Sequence, residues 1–247
     1  MGLDLGLVAH KVVRSDGQGR AMLELARAAA GAGHAVTVYC HTIDPGLLRA
    51  DGIRWRRVAG SPGPDIVFGA AFAARATKAL RRAGHELTCV LGSCAFGPVP
   101  FVNYAHFSWH AWRQAWNEVG GRPLHRRADA AVWERLERRC AGAAEAVMAV
   151  SGSLARDIEE VLCKPRRAHP APSRILTVPN GIDLDEFRPA TPDERQAART
   201  RFGLSPDDTV VAFVGEFNTP RKGLRPLIEA LARGRNPRER LLIAGDG

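Results

Sequence analysis

The residues of this chain that could do chemistry gather in three short stretches. The most unusual is Asn103-Tyr104-Ala105-His106-Phe107-Ser108-Trp109-His110, in which a histidine follows an apolar run and sits among aromatic rings. Imidazole titrates near neutral pH, so His106 in such a place suits hydrogen bonding or proton transfer at a sugar or phosphate. A histidine satisfied inside the core is the plainer alternative. His106 and His110 also have the i, i+4 spacing of a metal pair, but no third ligand follows at a helpful spacing, so no metal site is expected.

The second stretch is Ser15-Asp16-Gly17-Gln18-Gly19, between an apolar run and a helix pattern. Glycines there let a backbone approach a ligand, and the N–H groups at a helix start favour an anion or polar oxygens. Turn glycines alone would account for it equally well. A dinucleotide fingerprint would need glycine where Met22 stands and an acid where Cys40-His41 closes the next strand, so NAD binding is rejected. The third stretch runs from Gly215 to Gly223 and holds Glu216, Arg221 and Lys222. An Arg-Lys pair at a helix N-terminus makes a diphosphate clamp, whereas a solvated basic loop is the alternative. It lacks the GK[ST] of a P-loop.

Alternating elements must hold these stretches in place. Apolar runs at 5–9, 35–40, 53–58, 86–91, 100–105, 146–150 and 173–178 read as strands. Between them 20–32, 68–82, 111–140 and 154–162 read as helices, with a break near Gly120, Gly121 and Pro123 and with Ser151 as an N-cap. This alternation predicts an α/β fold, a Rossmann-like doubly wound parallel sheet, with ligands at the strand carboxyl ends. The composition then turns polar over 183–208, around a short helix at 193–202. A new unit follows: strand 209–214, helix 223–233, strand 241–244. The expected domains are 1–189, a linker or hinge at 190–208, and 209–247 as the start of a second, truncated Rossmann-like domain. About 40 residues cannot close a core alone.

Composition excludes several classes. The chain has 247 residues, 45% hydrophobic and 25% charged, which rules out wholesale disorder, collagen and coiled coil. No apolar run approaches the ~18 residues of a membrane helix, and the N-terminus reads as neither a secretory signal nor a myristoylation site. Five cysteines without a C-x-x-C pair are read as small core residues, not as a zinc site or disulfide scaffold. The net charge of +9 fits anionic partners. Nucleic acid is not expected, because no recognised binding motif is present. The segment 113–139 interleaves arginines with Trp116 and Trp133, just after Trp112. That suits either an anionic membrane surface or a solvated helix face with tryptophan in the core.

Taken together, Gly17-Gln18-Gly19-Arg20 with the ELARAAAGAGHAVTVY behind it, Val150-Ser151-Gly152-Ser153, VPNGIDLDEFRP at 178–189 and VAFVGEFNTPRKGLRPLIEAL resemble family 4 of the GT-B glycosyltransferases. The RKG loop is similar to the subgroup that builds lipopolysaccharide core. The resemblance implies a retaining transferase that moves a sugar from a nucleotide sugar to a glycan or lipid-linked acceptor in cell-envelope polysaccharide assembly. It implies no cofactor and no metal, since fixed cations and helix termini can stabilise a departing phosphate. His106 matches the family's active-site histidine. Gly17, Gly19, Gly215, Arg221 and Lys222 are expected at the donor phosphates, and Arg20, Asn103 and Trp109 at the acceptor. Glu216 replaces an arginine common in relatives, and the family's paired glutamates would fall beyond residue 247. The expected place is the cytoplasm, with peripheral contact at the inner face of the membrane. A non-catalytic module that binds acceptor or partner is the alternative.

Overall fold

A computed structural model describes residues 2–95, 100–119, 124–163, 174–217, 222–234 and 236–246, with side chains for all of these but 115–119, 124–128, 161 and 163. The chain divides into two compact units, Met1–Gly181 and Ile182–Gly247.

Unit 1 runs through β1 Asp4–Val8, β2 Lys11–Val12, α1 Gly17–Gly31, β3 Ala35–Cys40, β4 Thr42–Ile43, a 3-10 turn at Leu47–Arg49 and β5 Ile53–Arg57. It continues with α2 Asp65–Ala83, β6 Leu87–Leu91, β7 Val102–Ala105, α3 Trp109–Val119, α4 Leu124–Ala143, β8 Ala146–Ala149, α5 Gly152–Cys163 and β9 Arg174–Thr177. Seven strands form one sheet in the order β5-β3-β1-β6-β7-β8-β9, and every pairing is parallel. This is the doubly wound, Rossmann-like sheet expected from the alternation. The pair β2–β4 was not expected, because two-residue runs carry no readable period. Helix α1 begins at Gly17, three residues before the periodic pattern. The Asp16 carboxylate accepts the Gly19 N–H at 2.8 Å, and this cap carries two poor helix formers into the first turn.

Alternation along β1 divides the core between the two faces of the sheet. Leu5, Leu7 and Ala9 cluster with Met22, Leu23 and Ala26 of α1. Val8 clusters instead with Phe72, Ala76 and Leu80 of α2 and with Cys140 and Ala141 of α4. Cys40, Cys89, Cys94 and Cys140 are buried and free. Burial pushes the thiols of Cys40, Cys89 and Cys94 up to about 12, so they stay protonated and act as small core groups. The side chain of Cys163 lies outside the described residues. Below the sheet Gly6 leaves room for the ring of His85, whose Nδ1 lies 2.9 Å from Asp4 and whose Nε2 lies 2.8 Å from the Tyr39 hydroxyl.

The winding reverses at β1, which has β3 on one side and β6 on the other. Connections leave in opposite directions there, so a crevice opens at the carboxyl ends of these strands.

Unit 2 holds α6 Pro192–Arg201, β10 Thr209–Val214, α7 Leu224–Gly234 and β11 Glu239–Ala244, with β10 and β11 parallel. The division at 181 falls ahead of the boundary at 189 read from composition, and 190–208 packs as part of this unit. Its anchor is Arg199, 7% exposed, whose guanidinium donates to the carbonyls of Ser205, Pro206 and Asp208 at 3.1, 3.2 and 2.6 Å. A polar composition concealed that bond set, since buried arginine is rare. Among the described residues, no helix is long and apolar enough to cross a membrane.

Candidate active site at the carboxyl ends of the sheet

A cavity of about 430 Å³ lies in unit 1 over the reversal of winding. Three strand ends supply its floor: His10 and Lys11 after β1, Gly92 to Cys94 after β6, and His106 and Phe107 after β7. The first turn of α1 adds Asp16 and Gln18, α2 adds Asp65 and Phe68, and Trp109, Trp133 and Glu137 complete the wall.

The wall is aromatic for a structural reason. Gly69 on α2 stands where any Cβ would strike the Trp133 indole, so α2 and α4 meet through that ring. Trp133 is 9% exposed and stacks on Trp109 with centroids 5.4 Å apart and planes 8° apart. Phe107 and Trp112 meet Trp109 edge-on at 5.1 and 5.3 Å, a geometry that sets positive ring edges against a negative face.

Glu137 locks this wall to the start of α3. Both its carboxylate oxygens accept the Trp109 N–H at 3.0 Å, and one also accepts the His110 N–H at 3.4 Å. Burial pushes its carboxyl up to about 7; the two N–H bonds oppose that rise, and Glu134 and Asp157 add to it. One helical turn before it, burial also acts on Glu134. There the Arg113 side chain at 2.6 Å and His110 at 2.8 Å prevail, and the carboxyl falls below its usual range.

His10 and His106 are the two imidazoles of the cavity. Burial brings His10 down to about 4, helped by Lys11 and opposed by Asp65, and its ring meets Phe72 edge-on at 4.6 Å. Burial lowers His106 as well, with Asp16 opposing. The Nε2 atoms of both rings are buried and have no hydrogen-bond partner among the described residues. His106 packs edge-on against Tyr104, whose hydroxyl donates to Asn180 at 2.8 Å.

The sequence-derived candidates separate at this point. His106 and Trp109 line the cavity together. Asn103 does not: it is 4% exposed and donates to the carbonyl of Gly92 at 2.6 Å, tying β6 to β7. Its place in the strand, not the loop, turns it into the core. Gly19 is a packing glycine, since a Cβ would stand 2.9 Å from the Lys11 carbonyl, and its N–H is already taken by Asp16. Gly17 has open space around it, and its N–H makes no hydrogen bond among the described residues. Arg20 points away to Glu24 at 3.7 Å. His110 is 3% exposed and is held by Glu134, so the His106–His110 spacing brings no metal pair together. Among the described residues, no group of three His, Cys, Asp or Glu could hold a metal.

In unit 2, Gly215 follows β10, and the Lys222 stem lies near it, with Cδ 3.6 Å from the place of a Cβ. Arg221 lies outside the described residues, as does the helix break at 120–123. In the arginine-tryptophan segment, Trp133 is buried and lines the cavity, Trp112 packs edge-on against Trp109, and Arg113 and Arg138 bind Glu134 at 2.6 and 3.4 Å.

Sequence reasoning missed His10, Asp65, Phe68 and Glu137; for Trp133 it left open a membrane face or a core position, and the ring is buried. One signal was available: Trp133 and Glu137 are four apart on a helix, which places both on one face. Nothing local reveals that this face meets the end of β7.

A model of Glycosyltransferase Family 4 matches residues 15–186, and the chain belongs to that family. A D-inositol 3-phosphate glycosyltransferase of Mycobacterium sp. (strain KMS) is 49% identical over 74 residues, which cover 30% of this chain and 16% of that protein. Among solved structures, WaaG, a glycosyltransferase involved in lipopolysaccharide biosynthesis, superposes with a TM-score of 0.73 at 18% identity, covering 98% of this chain and 64% of its own. Anabaena HepE in complex with UDP-glucose gives a TM-score of 0.63 at 16% identity, covering 99% and 61%. The chain thus shares the GT-B fold and spans less than two thirds of the length of these proteins.

Proposed function

We propose that the chain serves a glycosyltransferase that moves a sugar from a nucleotide sugar to an acceptor hydroxyl, with unit 1 holding the acceptor. The observation that carries this reading is the cavity at the reversal of winding, with His106 among its lining residues. A buried, uncharged imidazole there is suited to a hydroxyl beside the reacting carbon. In the transfer, the bond from the anomeric carbon to the diphosphate oxygen breaks with its electron pair going to that oxygen, a bond from that carbon to the acceptor oxygen forms, and the acceptor's hydroxyl proton leaves with the nucleoside diphosphate. The open start of α1 at Gly17 in unit 1 and, taken by itself, the loop of Gly215, Arg221 and Lys222 in unit 2 are each proposed as a phosphate-binding element, and the charge of Arg221 and Lys222 is proposed to take the place of a metal. Retention at the anomeric carbon and a role in envelope polysaccharide assembly, on a glycan or lipid-linked acceptor at the inner face of the membrane, belong to the same proposal.

The test uses the purified protein with UDP-, GDP- and ADP-sugars in turn. Nucleotide-sugar binding is expected, together with transfer that falls at least a hundredfold in His106→Ala and a KM for donor that rises at least tenfold in Lys222→Ala. Absence of nucleotide-sugar binding, with no effect of Lys222→Ala, would sink the reading. A folded protein that binds glycan without transfer would favour the non-catalytic alternative.

A further inference from the structure

The first turn of α3 carries part of the cavity wall, and its backbone is held from two places. Ser108, the residue before the helix, accepts the Ala111 N–H on its own hydroxyl at 3.2 Å, which is a local cap. The N–H groups of Trp109 and His110 find no acceptor within their own helix. Both go to Glu137 of α4, at 3.0 and 3.4 Å, from 28 and 27 residues away in sequence. The start of α3 is therefore capped in part by a different helix.

That distant cap reaches further than Trp109. Strand β7 ends at Ala105 and α3 begins at Trp109, so only His106, Phe107 and Ser108 join them. The near end of this connection is fixed in the sheet, where Tyr104 pairs with Leu91 and Ala105 with Ala149. The far end is fixed by Glu137. A connection so short has little freedom once both ends are set. His106, Phe107 and Trp109 all line the cavity, as does Glu137 itself.

The neighbouring contacts on α4 do other things. Glu134, one turn earlier, bonds side chains: His110 at 2.8 Å and Arg113 at 2.6 Å, which stand outside the cavity lining. Trp133 stacks on Trp109 at 5.4 Å, but stacked rings tolerate a range of offsets, so the stack by itself leaves the indole free to slide. The bonds to Glu137 act on the backbone from which that indole hangs.

We infer that Glu137 is the positioning residue of this wall: it places Trp109 and, through the three-residue connection, His106 and Phe107 around the cavity. Its effect on transfer rests on the reading of this cavity as the acceptor site; the placement of the wall does not.

Two variants of similar bulk test it. Glu137→Gln keeps an acceptor oxygen, and Glu137→Leu has none. Proton–nitrogen NMR of the whole protein reads the amides of Trp109 and His110, with those of β1 and β3 as the measure of any general loss of stability. Relative to the core amides, exchange at Trp109 and His110 should quicken roughly thirtyfold or more in Glu137→Leu and less than about threefold in Glu137→Gln. The Trp109 indole resonance, identified by its absence in Trp109→Phe, should move in Glu137→Leu and hold its place in Glu137→Gln. Should Glu137→Leu not fold, Glu137→Asp draws the acceptor back by one methylene and is expected to act in the same direction. Equal exchange in the two variants, or a loss of protection that merely follows the core, overturns the inference. In the transfer assay Glu137→Leu should raise the KM for acceptor about tenfold or more and leave the KM for donor unchanged. An unmoved acceptor KM beside a displaced Trp109 leaves the placement of the wall standing and sinks the acceptor reading of the cavity.

Discussion

The two units use the same βαβ logic with opposite results. In unit 1 every central strand has neighbours on both sides and helices over both faces, so Val8, Val38, Val90 and Phe72 are fully buried. Unit 2, among the described residues, has the two-stranded β10–β11 sheet with the helices α6 and α7. Val214 stays 79% exposed, Ile243 44%, and no residue of α7 is buried. Apolar burial scales with the area removed from water, so the same valine or isoleucine stabilises unit 1 strongly and unit 2 little. Polar contacts described in unit 2 include the buried Arg199 bonds and the Thr191–Glu194 capping box.

The largest expected contrast is between two truncations. Phe72→Ala should lower stability by about 3–5 kcal/mol, because a ring leaves a closed core. Ile243→Ala, at an exposed strand position, should change it by less than about 1 kcal/mol. Urea denaturation of each variant checks this, and equal losses would erase the difference between the units.

A pH titration of stability sharpens the comparison by showing that unit 1 also stores charge effects. Glu137 in the fold titrates at about 7 against an ordinary 4.5, so the folded protein holds the extra proton and stability falls as pH rises from 4.5 to 7. His10 in the fold titrates at about 4 against an ordinary 6.5, so the unfolded chain holds the extra proton and stability rises from pH 4 to 6.5. The two slopes oppose each other at about 1.4 kcal/mol per pH unit each. Glu137→Gln should therefore leave a stability that climbs with pH across that window, and His10→Asn one that declines. Parallel slopes in the two variants would contradict the assignments.

The smallest effect falls in unit 2. Thr191→Ala removes the N-cap of α6 and should lower stability by about 1 kcal/mol, read as a lower thermal midpoint. A loss as large as that of Phe72→Ala would mean that unit 2 depends on far more than its polar anchors.

Much of the architecture was legible because hydrophobic period is local. The runs 35–40 and 209–214 are the strands β3 and β10 to the residue, and alternation of strand and helix specified a parallel, doubly wound sheet. The motif at His106 could be read as well, since a histidine after a strand needs only its neighbours in sequence. Asn103 and Gly19 show the limit. Both stand in suggestive stretches, yet one is turned into the strand core and the other is fixed by the Lys11 carbonyl, and each outcome depends on contacts with another segment.

By itself the amino-acid order determined the fold class, the glycine-marked helix start and the resemblance that family membership sustains. Only the tertiary structure decided which polar groups share one cavity. His10, Asp65, His106 and Glu137 come from four separate stretches of chain. Their common site, and the burial that moves His10 and Glu137 from their ordinary protonation, exist only where the sheet reverses its winding and α4 closes over it through Trp133. Desolvation is a property of the packed assembly of segments, and no single segment carries it.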